Sequence, residues 1–110
     1  MVLREIAHSR TGDKGNLVTI SLIAYRPEDF DLLVREVTPE RVAQQFSEIL
    51  DGVVDGPVTR YLLPHLSALN FVLRRPATLA VTRSLALDAH GKCLGSALLA
   101  LDLTPRAAAS

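Results

Sequence analysis

His8–Tyr25 reads HSRTGDKGNLVTISLIAY, a long polar run followed directly by an apolar one. The second half, Leu17–Tyr25, is rich in Val, Ile and Thr and too short for most helices, which predicts a β-strand. Val2–His8, ahead of the polar run, reads as another short strand. The Ser9–Asn16 stretch between them exceeds the roughly two to five residues that a hairpin connection needs. Turn-making alone does not account for it. Gly12 and Gly15 can take positive φ and bring the backbone close to a ligand. Asp13 can brace a turn through its own backbone. Successive N–H groups in such a bend form an anion-binding concavity, and Arg10 and Lys14 add positive charge, with Ser9 and Asn16 as further donors. A carboxylate or phosphate is the ligand this chemistry suits. A purely structural loop, with Asp13 paired to Lys14 or Arg10, is the other reading. Neither the P-loop nor the dinucleotide fingerprint is present.

Outward from this stretch, Arg26-Pro27-Glu28-Asp29 predicts a helix start, with Pro in the first turn and acids at the positive end of the dipole. Phe30, Leu33 or Val34, and Val37 recur at helical spacing. Thr38-Pro39 restarts the pattern as N-cap and first helical residue. Val42, Phe46, Ile49 and Leu50 form the apolar stripe of this second helix, and Gly52 ends it. Val58–Leu63 predicts a third strand. Leu66–Arg74, bracketed by Pro64 and Pro76, predicts a short helix with Leu66, Leu69 and Leu73 on one face. Leu79–Asp88 and Lys92–Leu103, flanking Ala89-His90-Gly91, predict a long C-terminal β-hairpin. The expected whole is an α+β two-layer sandwich: a mostly antiparallel sheet with helices on one face. Residues 1–103 form one domain in this reading, and 104–110 a disordered tail.

The chain has 110 residues, enough for a single core that removes a bit more than ~60% of the unfolded surface from water. Twelve basic and twelve acidic residues cancel, so no overall field favours nucleic acid or an anionic membrane. Aromatic residues are few and Trp is absent, which argues against base-stacking platforms. Arg4 and Glu5 interrupt the start and no apolar run approaches membrane-spanning length, so a cytoplasmic protein is expected. The lone Cys93 allows no intramolecular disulfide.

Several other residues invite chemistry. Cys93 alternates onto an apolar strand face with Ala97, Leu99 and Leu101, which suits a buried, inert thiol better than a nucleophile. His8, His65 and His90 lack ligand spacing, so no metal is expected, and nothing in the sequence calls for a cofactor. His8 and Ser9 with Asp13 would make a poor triad, because strand neighbours point to opposite faces. Asn70 and Arg74 could be a solvated helix face or a wall of the loop's pocket. Arg83 interrupts an apolar set and must be paired or reach an edge, where it could meet an anion or a partner.

The segments AHSRTGDKGN, LIAYRPEDF, TPERVA, GPVTRYLLPHLSALNFVL and VTRSLALDAHGKCLGSALLALDL together resemble the C-terminal domain of the acyclic terpene utilisation (AtuA-type) family. The resemblance runs from about Leu3 to Leu103 and keeps the family's segment order. It implies a ferredoxin-like fold and a link to bacterial breakdown of acyclic terpenoids and related branched acyl-CoA compounds. In the family this module usually follows a much larger domain, and no counterpart of that domain lies in these 110 residues. The expected role is therefore an accessory or ligand-binding subunit, catalytically incomplete alone, working with a large AtuA-type partner. A small acyl-CoA-handling enzyme and a structural oligomerisation module are the alternatives. Both faces of the final hairpin are apolar, so a homo-oligomer is expected to cover the one that the helices leave open.

Overall fold

The computed structural model describes residues 1–14, 17–50, 54–74 and 92–103. Four strands lie within these: β1 (Ala7–Lys14), β2 (Leu17–Ala24), β3 (Thr59–Leu63) and β4 (Ala68–Arg74). They form one sheet in the order β1-β2-β4-β3, with every neighbouring pair antiparallel. Helices α1 (Phe30–Glu36) and α2 (Pro39–Leu50) join β2 to β3, and α3 (Lys92–Leu99) follows later in the chain. The α+β, ferredoxin-like class expected from sequence holds. Among the described residues, no helix is long and apolar enough to cross a membrane.

The polar run is a strand. β1 continues through Lys14 and pairs residue for residue with β2, from Ala7↔Ala24 to Lys14↔Leu17. The long loop expected over Ser9–Asn16 is thus replaced by paired backbone up to Lys14; Gly15 and Asn16 lie outside the described residues. Polarity misled here because β1 is an outer strand among the described residues, where few apolar side chains are needed. Gly12 serves closeness rather than turning. It has no positive φ, and a Cβ built there would sit 2.7 Å from Thr19 Oγ1 on the paired strand.

Strand alternation puts Val18, Ile20, Leu22 and Ala24 of β2 on one face, and Leu69, Phe71 and Leu73 of β4 join them by register. All seven are buried, against Leu33 of α1, Val37, Val42 and Phe46 of α2's approach and body, and Leu98 of α3. Thr38 caps α2 as expected, its Oγ1 accepting from the Arg41 N–H at 3.2 Å. Two arginines secure the corner between α1 and α2. Arg60 of β3 donates to the carbonyls of Val34 (2.8 Å) and Val37 (2.9 Å), which the end of α1 leaves open. Arg41 bridges Glu36 at 3.2 Å and donates to the Asp102 carbonyl at 2.8 Å. The two ends of the domain meet: Leu3 N–H donates to Leu101 O at 2.8 Å and Leu103 N–H to Met1 O at 2.7 Å.

Three other expectations need correction. Val2–His8 is not a strand: Leu3–Glu5 forms a 3-10 turn and β1 begins only at Ala7. Leu66–Arg74 is not a helix but contains β4. Its burial alternates with period two over Leu69, Phe71 and Leu73, whereas Leu66, needed for the helical stripe, is 66% exposed. Lys92–Leu103, expected as the second arm of the hairpin, is helical through Leu99. KCLGSALL contains no β-branched residue and three leucines, so its helix propensity outweighs its apolar alternation. Gly95 and Leu98 are buried at a spacing of three, which suits a helical face, and Leu101 is buried just beyond the helix end. The first arm, Leu79–Asp88, and the tail 104–110 lie outside the described residues, as does the Cys93 side chain.

Gly95 lets α3 lie close on β1. A Cβ there would stand 2.5 Å from Ser9 Oγ and 3.1 Å from Thr11 Oγ1. Alanine at this position gains about 1 kcal/mol of helix propensity but meets the Ser9 hydroxyl. Gly95→Ala is therefore expected to destabilise the wild type by about 1 kcal/mol and to stabilise a Ser9→Ala background by about as much. Urea unfolding of the four-member cycle reads this directly. Equal effects in both backgrounds would mean that the contact is absent.

Candidate functional site: the open face of the sheet

The helices cover one face of the sheet. The register lines up the other in rows. Arg10 of β1 faces Ser21 of β2, which faces Asn70 of β4, which faces Tyr61 of β3. Residues opposite one another on one face have Cβ atoms about 5 Å apart, so this row spans about 14 Å across four strands. Ser21 Oγ donates to Asn70 Oδ1 at 3.2 Å. That bond holds the Asn70 amide in place while its N–H groups, which have no partner among the described residues, stay available. Arg10 is exposed and has no carboxylate partner among the described residues.

On either side of this row the face changes character. One neighbouring row runs His8–Ile23–Ala68–Leu63 and the other Gly12–Thr19–Val72–Thr59. His8 stacks on Tyr25, with ring centroids 5.2 Å apart and planes at 26°. Leu17 and Arg74 pair at the far end of the face, with Lys14 beside Leu17 in the β1 register. The result is a donor-rich strip, with a guanidinium at one end and a phenol at the other, set in small apolar and hydroxyl side chains. Such a strip can bind a carboxylate or a carbonyl through Arg10 and Asn70.

The candidate residues of the sequence divide accordingly. Arg10 and Asn70 come together in one row and Gly12 lies in the next. Ser9 turns away, toward α3, where Gly95 packs against it. Asp13 and Lys14 belong to β1 by their backbone and pair with Val18 and Leu17. Gly15, Asn16 and Arg83 lie outside the described residues. The triad weighed for His8, Ser9 and Asp13 is not assembled, since His8 and Ser9 occupy opposite faces of the sheet. Asn70 belongs to this face from a strand, not from a helix. Ser21 and Tyr61 were missed. The alternation in LVTISLIAY already sorts Thr19 and Ser21 from Val18, Ile20 and Leu22, and that was the signal for the open face.

A family model described as AtuA ferredoxin-like domain matches residues 1–104. The chain belongs to that family. No curated protein and no solved structure matches it. The match takes in every described residue, so the open face with its Arg10–Ser21–Asn70–Tyr61 row is a feature of this AtuA ferredoxin-like domain itself.

Swapping Asn70 for leucine removes the only acceptor that Ser21 has among the described residues and puts an apolar group into the row. Because the site is half-buried, the expected loss is modest, about 1 kcal/mol. Ser21→Ala in the same background should then cost almost nothing further. Additive losses in thermal unfolding of the double variant would mean that the bond contributes nothing.

Proposed function

We propose that this AtuA ferredoxin-like domain is an accessory binding module. It serves a larger AtuA-type protein in the breakdown of acyclic terpenoids or branched acyl-CoA compounds, and its open sheet face is the binding surface. The observation that carries the reading is the row Arg10–Ser21–Asn70–Tyr61 on a sheet face without a covering layer among the described residues. Its chemistry is that of recognition: hydrogen-bond donors fixed on rigid strands, which hold a carboxylate, an acyl-CoA carbonyl or a partner's side chain in a set orientation.

Catalysis of an acyl-CoA reaction asks for a base within reach of the reacting carbon and an oxyanion-stabilising group beside it. Asn70 and Arg10 offer donors, while His8 sits in the next row with its ring against Tyr25, and Ser9 faces the other layer. The module is thus better suited to holding than to turning over. A homo-oligomer is a second way to cover the open face, but face-to-face copies would set Arg10 and Arg74 of each against the same charges of the other.

Steady-state assays with branched acyl-CoA esters test the proposal. The purified chain is expected to give no turnover, and the chain mixed with a large AtuA-type domain is expected to change that domain's activity. Robust turnover by the chain alone, abolished by His8→Ala, would replace the binding module with an enzyme.

A further inference from the structure

Among the described residues, carboxylates are sorted between the two faces of this balanced chain. Glu28, Asp29, Asp31, Glu36 and Glu40 all belong to α1, α2 or the 3-10 turn before them, on the helical layer. The described side chains at open-face strand positions include Arg10, Arg74 and His8 and no carboxylate. Asp55 is close in the chain pairing, its N–H donating to the Arg74 carbonyl at 2.7 Å, but it is not a strand residue of that face. The helical side carries cations as well, Arg35 and Arg41 on the helices and Arg60 turned into their corner, so what sets the open face apart is cations without carboxylates among the described side chains.

We infer that the open sheet face docks an acidic, apolar-centred surface of a partner protein. The inference rests on the accessory-module reading and adds the chemistry of the partner. The cations stand well apart. Arg10 and Arg74 are separated by two strand spacings and four residues along the strand, about 17 Å at ~4.8 Å per strand and ~3.4 Å per residue. Between them lie Thr19, Val72 and Leu17, a patch of methyl groups and a hydroxyl. A nucleic acid carries a charge every few ångströms and would bury that patch against phosphates, which neither arginine could reach together. A folded protein with two separated carboxylates around an apolar centre matches both the spacing and the patch.

Size points the same way. Four strands of five to eight residues present a face of about 450 Å², while a stable interface takes about 800 Å² from each partner. The partner must therefore extend past the edge strand, β3. There Tyr61 is 54% exposed and Leu63 38%, and Leu66 in the 3-10 turn beyond β3 is also exposed. These apolar side chains continue the surface beyond the row that Tyr61 ends. A second copy fits less well. Its own open face repels this one, and docking its helical back here would be a head-to-tail contact, which builds a ring or a filament and not a symmetric pair.

Two probes test the inference by amide-shift mapping and calorimetry: a helical amphipathic peptide of Glu and Leu, and a purified large AtuA-type domain. The peptide is expected to shift amides of Ser21, Asn70 and Val72. Its affinity should fall at least tenfold between 50 and 300 mM salt, and at least tenfold in Arg10→Glu/Arg74→Glu, a variant whose melting curve shows it folded. The control Glu28→Lys/Asp31→Lys should bind the peptide like wild type. No binding, shifts confined to α1 and α2, or tighter binding to a 12-base-pair duplex or to vesicles of equal phosphatidylserine and phosphatidylcholine would overturn the inference. The large domain separates the two readings. If it binds the charge-reversed variant as well as wild type, the docking face falls and the accessory role stands. If it does not bind at all while the peptide maps to the face, the accessory role falls and the docking chemistry stands.

Discussion

Phe71→Ala is expected to lower the free energy of unfolding by about 3–5 kcal/mol, as much as a buried aromatic truncation typically costs. Phe71 is fully buried at the middle of β4, opposite Ile20 on one side and Arg60 on the other, and it faces the helical layer. It belongs to the buried cluster that joins the strands to α1 and α2, so truncating it leaves a cavity in a close-packed core. Small domains have about 5–15 kcal/mol of stability in total, so the variant should lose a large share of its margin and unfold at clearly lower denaturant. Chemical denaturation monitored by circular dichroism measures it. A loss under about 1.5 kcal/mol would mean that Phe71 is not a core residue, and the assignment of Leu66–Arg74 as a strand would go with it. Phe71→Leu, which keeps most of the volume, should cost far less.

Arg60→Met carries the second largest expected effect, a loss of about 1.5–3 kcal/mol. The guanidinium satisfies two carbonyls at the end of α1, those of Val34 and Val37, and so ties the helical corner to edge strand β3. Methionine keeps the apolar stem and removes both donors. Lysine supplies one point charge instead of a planar fork, and it should recover part of the loss but not all. The readout is hydrogen exchange of α1 amides together with global stability. Unchanged exchange in Arg60→Met would show that the corner holds without the clamp.

Much of this architecture was legible in the sequence, for reasons that differ by element. β2 announced itself through Val18, Ile20 and Leu22 alternating with Thr19 and Ser21, and burial follows that alternation. α2 announced itself through Thr38-Pro39 and the Val42–Phe46 stripe, and the Thr38 cap is made. The misreadings arose where one residue set satisfied two periods. Leu66, Leu69 and Leu73 fit a helix, but Leu69, Phe71 and Leu73 fit a strand, and pairing on both sides of β4 decided it. Cys93, Ala97, Leu99 and Leu101 fit a strand, yet Gly95 and Leu98 are what α3 buries. The candidate site was half visible. The polar run held Arg10, but its partners Ser21, Asn70 and Tyr61 come from three other strands. Only the register brings them into one row.

The glycines carry a related lesson. Gly12 and Gly15 suggested a bend, because glycine is usually read as conformational freedom. In β1, Gly12 marks a close cross-strand approach to Thr19, and in α3, Gly95 marks a close approach to Ser9. Among the described glycines only Gly56 uses positive φ. Of the anion-binding concavity expected over Gly12–Asn16, the part through Lys14 is paired strand, and Gly15 and Asn16 lie outside the described residues.

The most direct test of the account is light scattering on the chain co-expressed with a large AtuA-type domain, before and after Arg10→Glu/Arg74→Glu. The account predicts a defined complex of the two proteins that the double variant abolishes, leaving the two species to elute apart. Separate elution of the wild-type proteins, or a complex indifferent to the reversed charges, would contradict it.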